Sequence, residues 1–395
     1  MPAERERGIL LLADDMEIGG VPRHVVDLAH GLAGRGWRVS VAAAHGPLVR
    51  QLQPSVEFVD LSATGLHFGH NGASVLVRSL FTLASYCRSR NIGAIHSHKR
   101  FSDAVGRLVA LWLNIPHIST CHNRFSDRRL FSVFGQRTIA LTGAGKENLV
   151  RRYRKRAESV SVIHAGVRPF RRYTPGEKAF SRAHLGISEK ALVLASVANF
   201  EPRKDHRTLL AALGRCSPVL QQTNAIVLLV GGGEEKGKLV ALSQQLGLGQ
   251  VVRFLPPESD VEAVCNVSDL LVLASRQEEM PYVLLEAATV GKAHIAADVG
   301  GISEFIEHGK TGLLVPPGDV TQLAAAIERV IGDQEFRMRM GEKAADKVAE
   351  VFGYEEFIEK TNRVYEEEIR RTKSEISACA DGVGSRPSGM RRKFE

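Results

Sequence analysis

A chain of 395 residues with 44% hydrophobic content is long enough for two globular domains, each with its own core. Its five cysteines (Cys87, Cys121, Cys216, Cys265, Cys379) show no CxxC spacing, which argues against a disulfide framework or a structural zinc site and fits a reducing cytosol. The net charge of +8 is uneven: residues 1–170 hold 23 Lys+Arg against 12 Asp+Glu, residues 171–370 hold 23 against 29, and residues 371–395 hold 6 against 3. No nucleic-acid motif accompanies the basic first half, so nucleic acid is not expected as a partner.

The apolar run Ile9–Ala13 is too short for a signal-peptide core or a membrane span and reads as a buried first strand, Gly8–Ala13. The loop DDMEIGG brings Gly19 and Gly20 to the start of a helix over Val21–Ala33, and a strand over Trp37–Ala43 completes a βαβ unit. Helix Ala73–Arg90 with strand Ala94–Ser97, helix Asp103–Leu113 with strand His117–Thr120, and strand Ile139–Thr142 continue a mostly parallel sheet. The basic, aromatic-bearing stretch Arg124–Arg137 and the run Arg151–Arg156 could lie on an anionic membrane or form a solvated face. RPFRRYTPG, Arg168–Gly176, reads as a linker.

A second alternation follows: strand Ala191–Ala198, helix Asp205–Leu213, strand Ile226–Gly231, helix Lys236–Leu246 and strand Val251–Leu255. Helices over Val320–Ile331, Asp333–Val351 and Tyr354–Arg371 close the chain, and residues 372–395 read as a disordered basic tail. The stretch Leu270–Val315 organises this half. Strand Leu270–Ala274 leads through a polar elbow to a helix over Tyr282–Val290, with Pro281 suited to its first turn. Glu278 and Glu286 flank that turn and can face one pocket. Strand Ala293–Ala297 is followed by Gly300-Gly301 and a short helix carrying Glu304, a second place where backbone could approach an anionic ligand.

Other motifs fail on their details. GGEEKGKL has Leu239 where a phosphate-binding loop needs Ser or Thr, and TGAGKEN lacks both the leading Gly and the Ser/Thr. His96, His98, His117 and His122 show no HExxH spacing, Asp14-Asp15 is a weak metal candidate, and no metal is expected. A diphosphate ligand would then need a protein cation. Lys204, in the loop after strand Ala191–Ala198, stands at the sheet edge where open α/β sheets bind ligands.

These residues resemble the retaining GT-B glycosyltransferases of family 4. The likeness runs from Ile9 to about Arg371 and rests on E-x7-E (Glu278 to Glu286 in EEMPYVLLE), EAATVGKAHIAADVGGISEFI, HGKTGLLVPPGD, the Gly19-Gly20 loop, T-x-H (Thr120 to His122) and Lys204. It implies an α/β GT-B architecture: two Rossmann-like domains facing across a cleft, 1–168 for the acceptor and 169–350 for a nucleotide-sugar donor, with a last helix, 351–371, crossing back to the first domain. It further implies that Glu286 accepts from the donor ribose, Glu278 contacts the transferred sugar, Lys204 holds the diphosphate, and His122 reaches the sugar or the reaction centre. Gly19 and Gly20 would lie against donor phosphates, Met280, Pro281, Tyr282 and Val283 would belong to the donor-binding segment, and backbone N–H groups after Pro281 would cap the diphosphate from the helix start. Three departures stand out. Ala198-Asn199 replaces the family's usual Gly-Arg, leaving Arg203 as a substitute cation beside Asn199; Ala165-Gly166 stands for Asn-Gly; and Glu279 replaces a Gly, adding a carboxylate near the sugar.

The reaction so implied is retaining, metal-independent transfer from a nucleoside-diphosphate sugar such as a UDP-sugar to a hydroxyl acceptor, without a cofactor. Rival readings are a nucleotide-sugar epimerase or hydrolase on the same fold and a non-catalytic sugar-nucleotide-binding protein. The basic first domain suggests a glycan or glycolipid acceptor, such as a lipopolysaccharide core or lipid-linked saccharide, and a place in the cytoplasm or on the cytoplasmic face of the inner membrane.

Overall fold

The computed structural model describes residues 7–62, 73–122 and 134–380. In chain order the elements are β1 (Gly8–Asp15), α1 (Gly20–Ala33), β2 (Arg38–Ala44), β3 (Glu57–Asp60), α2 (Ala73–Ser89), β4 (Ala94–Ser97), α3 (Arg100–Leu113), β5 (His117–Cys121), β6 (Arg137–Ala140), α4 (Gly143–Arg151) and β7 (Val160–Val162). There follow α5 (Pro175–His184), β8 (Val193–Val197), α6 (His206–Arg215), α7 (Ser217–Gln222), β9 (Ile226–Val230), α8 (Lys236–Gln245), β10 (Val252–Leu255), α9 (Val261–Val267), β11 (Leu270–Leu273), α10 (Tyr282–Thr289), β12 (Ala293–Ala297), α11 (Ile302–Phe305) and β13 (Leu313–Val315). Helices α12 (Val320–Gly332), α13 (Gln334–Val351) and α14 (Tyr354–Ala380) complete the described chain.

Contacts divide these residues into two compact units. The first holds the described residues up to Ala140, Leu149–Ile163 and those from Phe357 on; the second holds Leu141–Asn148 and His164–Glu356. Each is built on an all-parallel sheet, in the order β3-β2-β1-β4-β5-β6-β7 and β10-β9-β8-β11-β12-β13 respectively. Strands such as GILLLA and LLVL are apolar throughout because helices cover both faces of a parallel sheet. Both orders reverse direction once, at β1/β4 and at β8/β11, and the carboxyl ends of strands at such a reversal are where open α/β sheets hold ligands.

The sequence reading divides the chain at 168/169, whereas the contacts divide it after Ile163. The Ile163 N–H still bonds to Ala140 O at 3.0 Å, while Val167 N–H bonds to Phe352 O at 3.2 Å within the second unit. The last helix also departs from expectation. It runs to Ala380 rather than stopping at Arg371, continued by a Ser374 Oγ bond to Arg370 O at 3.2 Å and an Arg371–Glu375 pair at 3.8 Å. Within the first unit α14 is anchored by Trp37 Nε1 donating to Asn362 Oδ1 at 2.7 Å and by the fully buried Tyr365. The stretch Arg124–Arg137 lies largely outside the described residues, as does the tail from Asp381. No helix among the described residues is long and apolar enough to cross a membrane.

Candidate functional site

In the second unit, the loops leaving β8 and β11 emerge side by side at the point where the strand order reverses. Pro202 starts a single 3-10 turn, Pro202–Lys204, after which Asp205 adopts a left-handed φ of 47° and caps α6, accepting from Thr208 N–H at 3.3 Å. The same carboxylate pairs with Arg276 Nε at 2.7 Å, and the Arg276 N–H donates to Arg203 O at 2.8 Å, so the two loops are tied together. This tether sets Lys204 Nζ 2.5 Å from Glu278 Oε1, which also accepts from Ser275 Oγ at 2.8 Å. Both side chains are largely buried, 14% and 6% exposed, so the pair is shielded from screening. The resemblance gives Lys204 and Glu278 separate ligand contacts; the structure gives them first to each other.

Asn199 and Arg203 both turn onto Glu201. Asn199 Nδ2 donates to one of its oxygens at 3.3 Å and Arg203 Nε to the other at 2.7 Å, with Arg203 41% exposed. Helix α10 opens at Pro281 with no side-chain hydrogen bond capping its first turn. The side chains of Met280, Tyr282 and Val283 are buried in the core of the second unit. Glu286 is buried on the same helix. Burial, and after it the Glu286 charge, pushes the thiol of Cys265 well above its ordinary range.

Two expectations for this unit are corrected. Gly300-Gly301 closely approaches protein backbone. At Gly300, with φ +66°, a β-carbon would collide with the Glu278 carbonyl oxygen, and the Gly301 N–H donates to Glu279 O at 2.9 Å. Helix α11 is a single turn of four residues, and its Glu304 is itself the anion at a helix start: it accepts from the N–H groups of Gly143 and Ala144, each at 3.0 Å, at the beginning of α4. Glu279 is engaged within its own unit. Its Oε1 accepts from the Thr142 hydroxyl, whose oxygen in turn accepts from Gly145 N–H at 2.8 Å. The segment TGAG, which fails as a phosphate loop, is thus held by two carboxylates of its own unit.

In the first unit Gly19 is extended, φ 174°, and Gly20 opens α1. Asp14 accepts from the Ser102 N–H at 3.2 Å and from its hydroxyl, while Asp15 pairs with Lys99 at 2.5 Å. Both acids therefore pin the end of β1 to the start of α3, which answers for their position without a metal. Burial raises Asp14 above the usual carboxylate range. His96 is fixed by the Tyr365 hydroxyl at 2.5 Å and by Thr120 Oγ1 at 2.7 Å, and His117 by Ser97 Oγ at 2.8 Å. These two are structural.

His122 belongs to a different group. Its Nε2 lies 3.2 Å from His98 Nδ1, and its ring meets that of His24 edge-on at 4.7 Å. Burial lowers His24 to about 3 and holds His98 and His122 well below 6.5, so all three are neutral at physiological pH. His24, overlooked in the sequence, comes from the buried face of α1, and its signal was its place in VPRHVV directly behind the Gly19-Gly20 loop. The ligand atoms of His24, His98 and His122 lie within 4.8 Å of one another, the spacing at which three imidazoles can hold a metal ion.

Comparison with known proteins follows the same division. Residues 18–171 match the family described as Glycosyltransferase Family 4, and residues 177–347 the family described as Glycosyl transferases group 1. The chain is 30% identical over 352 residues to the D-inositol 3-phosphate glycosyltransferase of Actinosynnema mirum, a match covering 80% of this chain and 84% of that one. HepE from Anabaena, solved in complex with UDP and glucose, aligns with a TM-score of 0.77 at 22% identity over 90% of this chain and 98% of its own. The sucrose-phosphate synthase of Thermosynechococcus elongatus aligns with a TM-score of 0.79 at 23% identity, over 91% and 98%. Both structures share the fold.

Proposed function

Because the chain belongs to the glycosyl transferases group 1, with a family 4 first unit and the GT-B fold, we propose that it moves a sugar from a nucleoside-diphosphate donor to a hydroxyl acceptor with retention and without a metal ion. The observation that carries this reading is the convergence of Lys204, Glu278 and the uncapped start of α10 where the second sheet reverses order. An ammonium has three donors, and Glu278 occupies one direction, so Lys204 keeps hydrogen-bonding capacity for a phosphate oxygen. The first-turn N–H groups of α10 add partial positive charge to the same anion. Charge building on the departing diphosphate is met by groups already in place, and no reorganisation is needed when the bond breaks. Glu286 accepts from the donor ribose, and Glu278, oriented by Lys204 and Ser275, accepts from a hydroxyl of the sugar.

His122, neutral by burial, would offer a hydrogen bond to a sugar hydroxyl without adding charge. Arg203 is the second diphosphate cation, on condition that it leaves Glu201. The donor nucleotide is UDP, as in the bound Anabaena structure. The acceptor is anionic and membrane-borne, in keeping with the basic excess of residues 1–170. A soluble phosphorylated polyol is a second reading, favoured by the name of the Actinosynnema relative.

A panel of nucleotide sugars scored by protection against thermal unfolding identifies the donor, and anomeric coupling in the product reads the stereochemistry. Glu286→Ala should reduce transfer at least 100-fold with the thermal midpoint little changed. Full activity in that variant would remove the ribose assignment, and inversion at the anomeric carbon would remove the retaining mechanism.

A further inference from the structure

Helices α2 and α3 pack side by side over the first sheet, sending Leu83, Ala84, Cys87, Val105, Val109 and Ala110 into the core. A surface helix with its apolar stripe turned inward ordinarily presents polar residues outward. These two do not. Val77 and Phe81 on α2 are 49% and 60% exposed, and Leu108, Leu111 and Trp112 on α3 are 45%, 49% and 47% exposed. They make up five of the eight exposed large apolar side chains among the described residues, and the spacings i, i+4 and i, i+3, i+4 put each set on one outer face. Phe81 meets the edge of Trp112 at 5.2 Å between ring centres, so the two faces form one patch.

The exposed charges carried by the two helices themselves have one sign. Helix α2 carries Arg78 and Arg88 and no acid, while α3 carries Arg100, Arg107 and a single carboxylate, Asp103, that is buried. The Arg88 guanidinium stacks over the Trp112 ring at 5.0 Å, and Arg90 just past α2 pairs with Glu57 at 2.7 Å. We propose that this α2–α3 face docks the protein on an anionic lipid bilayer, with Trp112 and Phe81 entering the headgroup region and Arg78, Arg88 and Arg107 meeting lipid phosphates.

Charge decides between occupants. A second copy of the chain would meet the patch through a twofold contact that sets arginine against arginine, whereas an anionic headgroup layer neutralises them. Tryptophan, apolar in body and polar at its N–H, suits the membrane interface, and two parallel amphipathic faces can lie in that plane without crossing it. The surface differs from the basic stretches picked out in the sequence, and it deepens the reading of a membrane-borne acceptor. Docking is measured with neither donor nor acceptor present, so its failure would leave sugar transfer untouched.

The chain has two tryptophans, and Trp37 is buried, so Trp37→Phe leaves Trp112 as the sole reporter. With phosphatidylglycerol vesicles at low salt, Trp112 emission should shift to the blue and be quenched by brominated lipid, and both signals should fall at least tenfold with phosphatidylcholine. Phe81→Ser/Trp112→Ser and Arg88→Glu should each weaken co-sedimentation with phosphatidylglycerol vesicles at least tenfold while the thermal midpoint holds. If a variant fails to fold, quenching in the wild-type chain decides alone. Unmoved emission, equal binding to neutral vesicles, or a dimer that Phe81→Ser/Trp112→Ser breaks would overturn the proposal.

Discussion

Where the second sheet reverses order, the site is built from formal charges held in pairs, Lys204 with Glu278 and Arg276 with Asp205; beside the reversal of the first sheet, three imidazoles, His24, His98 and His122, lie together with their charge removed by burial. The same strand order therefore supports two different chemistries. Fixed charges bridged between loops can meet a diphosphate without rearranging. Neutral imidazoles give hydrogen bonds to hydroxyls without attracting an anion. The division of labour proposed for the two units, donor phosphate in one and uncharged hydroxyl contacts in the other, rests on this contrast.

The contrast is broken most severely at Lys204. Lys204→Ala leaves Glu278 buried beside Ser275 alone and should destabilise the second unit by about 3 to 5 kcal/mol, measured by urea unfolding. Lys204→Ala/Glu278→Ala should regain most of that stability while transfer stays down by about 100-fold or more. Recovery of both together would mean that the lysine serves the fold only. A smaller loss is expected at Thr142→Val, which withdraws the hydroxyl that Glu279 accepts: about 1 to 3 kcal/mol, read from the thermal midpoint.

The histidine side is sharpened by pH. His24 titrates near 3 in the folded chain and near 6.5 when unfolded, so the unfolded chain takes up the extra proton. Its contribution to stability is complete above pH 6.5 and is lost as pH falls toward 3. His24→Phe should flatten the decline by about 1.4 kcal/mol per pH unit within that window. An unchanged slope would mean that His24 is charged in the fold. The smallest effect expected is none: elemental analysis of the purified chain should find zinc well below one equivalent, and one equivalent bound at His24, His98 and His122 would recast the first unit as a metal site.

Much of this was readable from the sequence. The period of the apolar runs announced both parallel sheets, and the strand–loop–helix around Glu278 and the loop holding Lys204 were placed by pattern alone. What stayed hidden depends on partners far apart in the chain. Thr142 meets Glu279 137 residues away, and Glu304 reaches Ala144 across 160, so no local window reveals that both acids serve α4. Edge strands β3 and β7 were missed because they are short and only half buried. The linker read over Arg168–Gly176 runs two residues into helix α5, although Thr174 and Glu177 form a capping box that announces it. The exposed apolar face of α2 and α3 escaped for a further reason: a sequence does not say which of two apolar faces finds the core.

The central claim is that Lys204, held in place by Glu278, binds the donor diphosphate. Calorimetric titration of UDP into the wild-type chain and into folded Lys204→Ala/Glu278→Ala tests it directly. The account predicts binding by the wild type and at least tenfold weaker binding by the double variant. Equal affinity in the two proteins would contradict it.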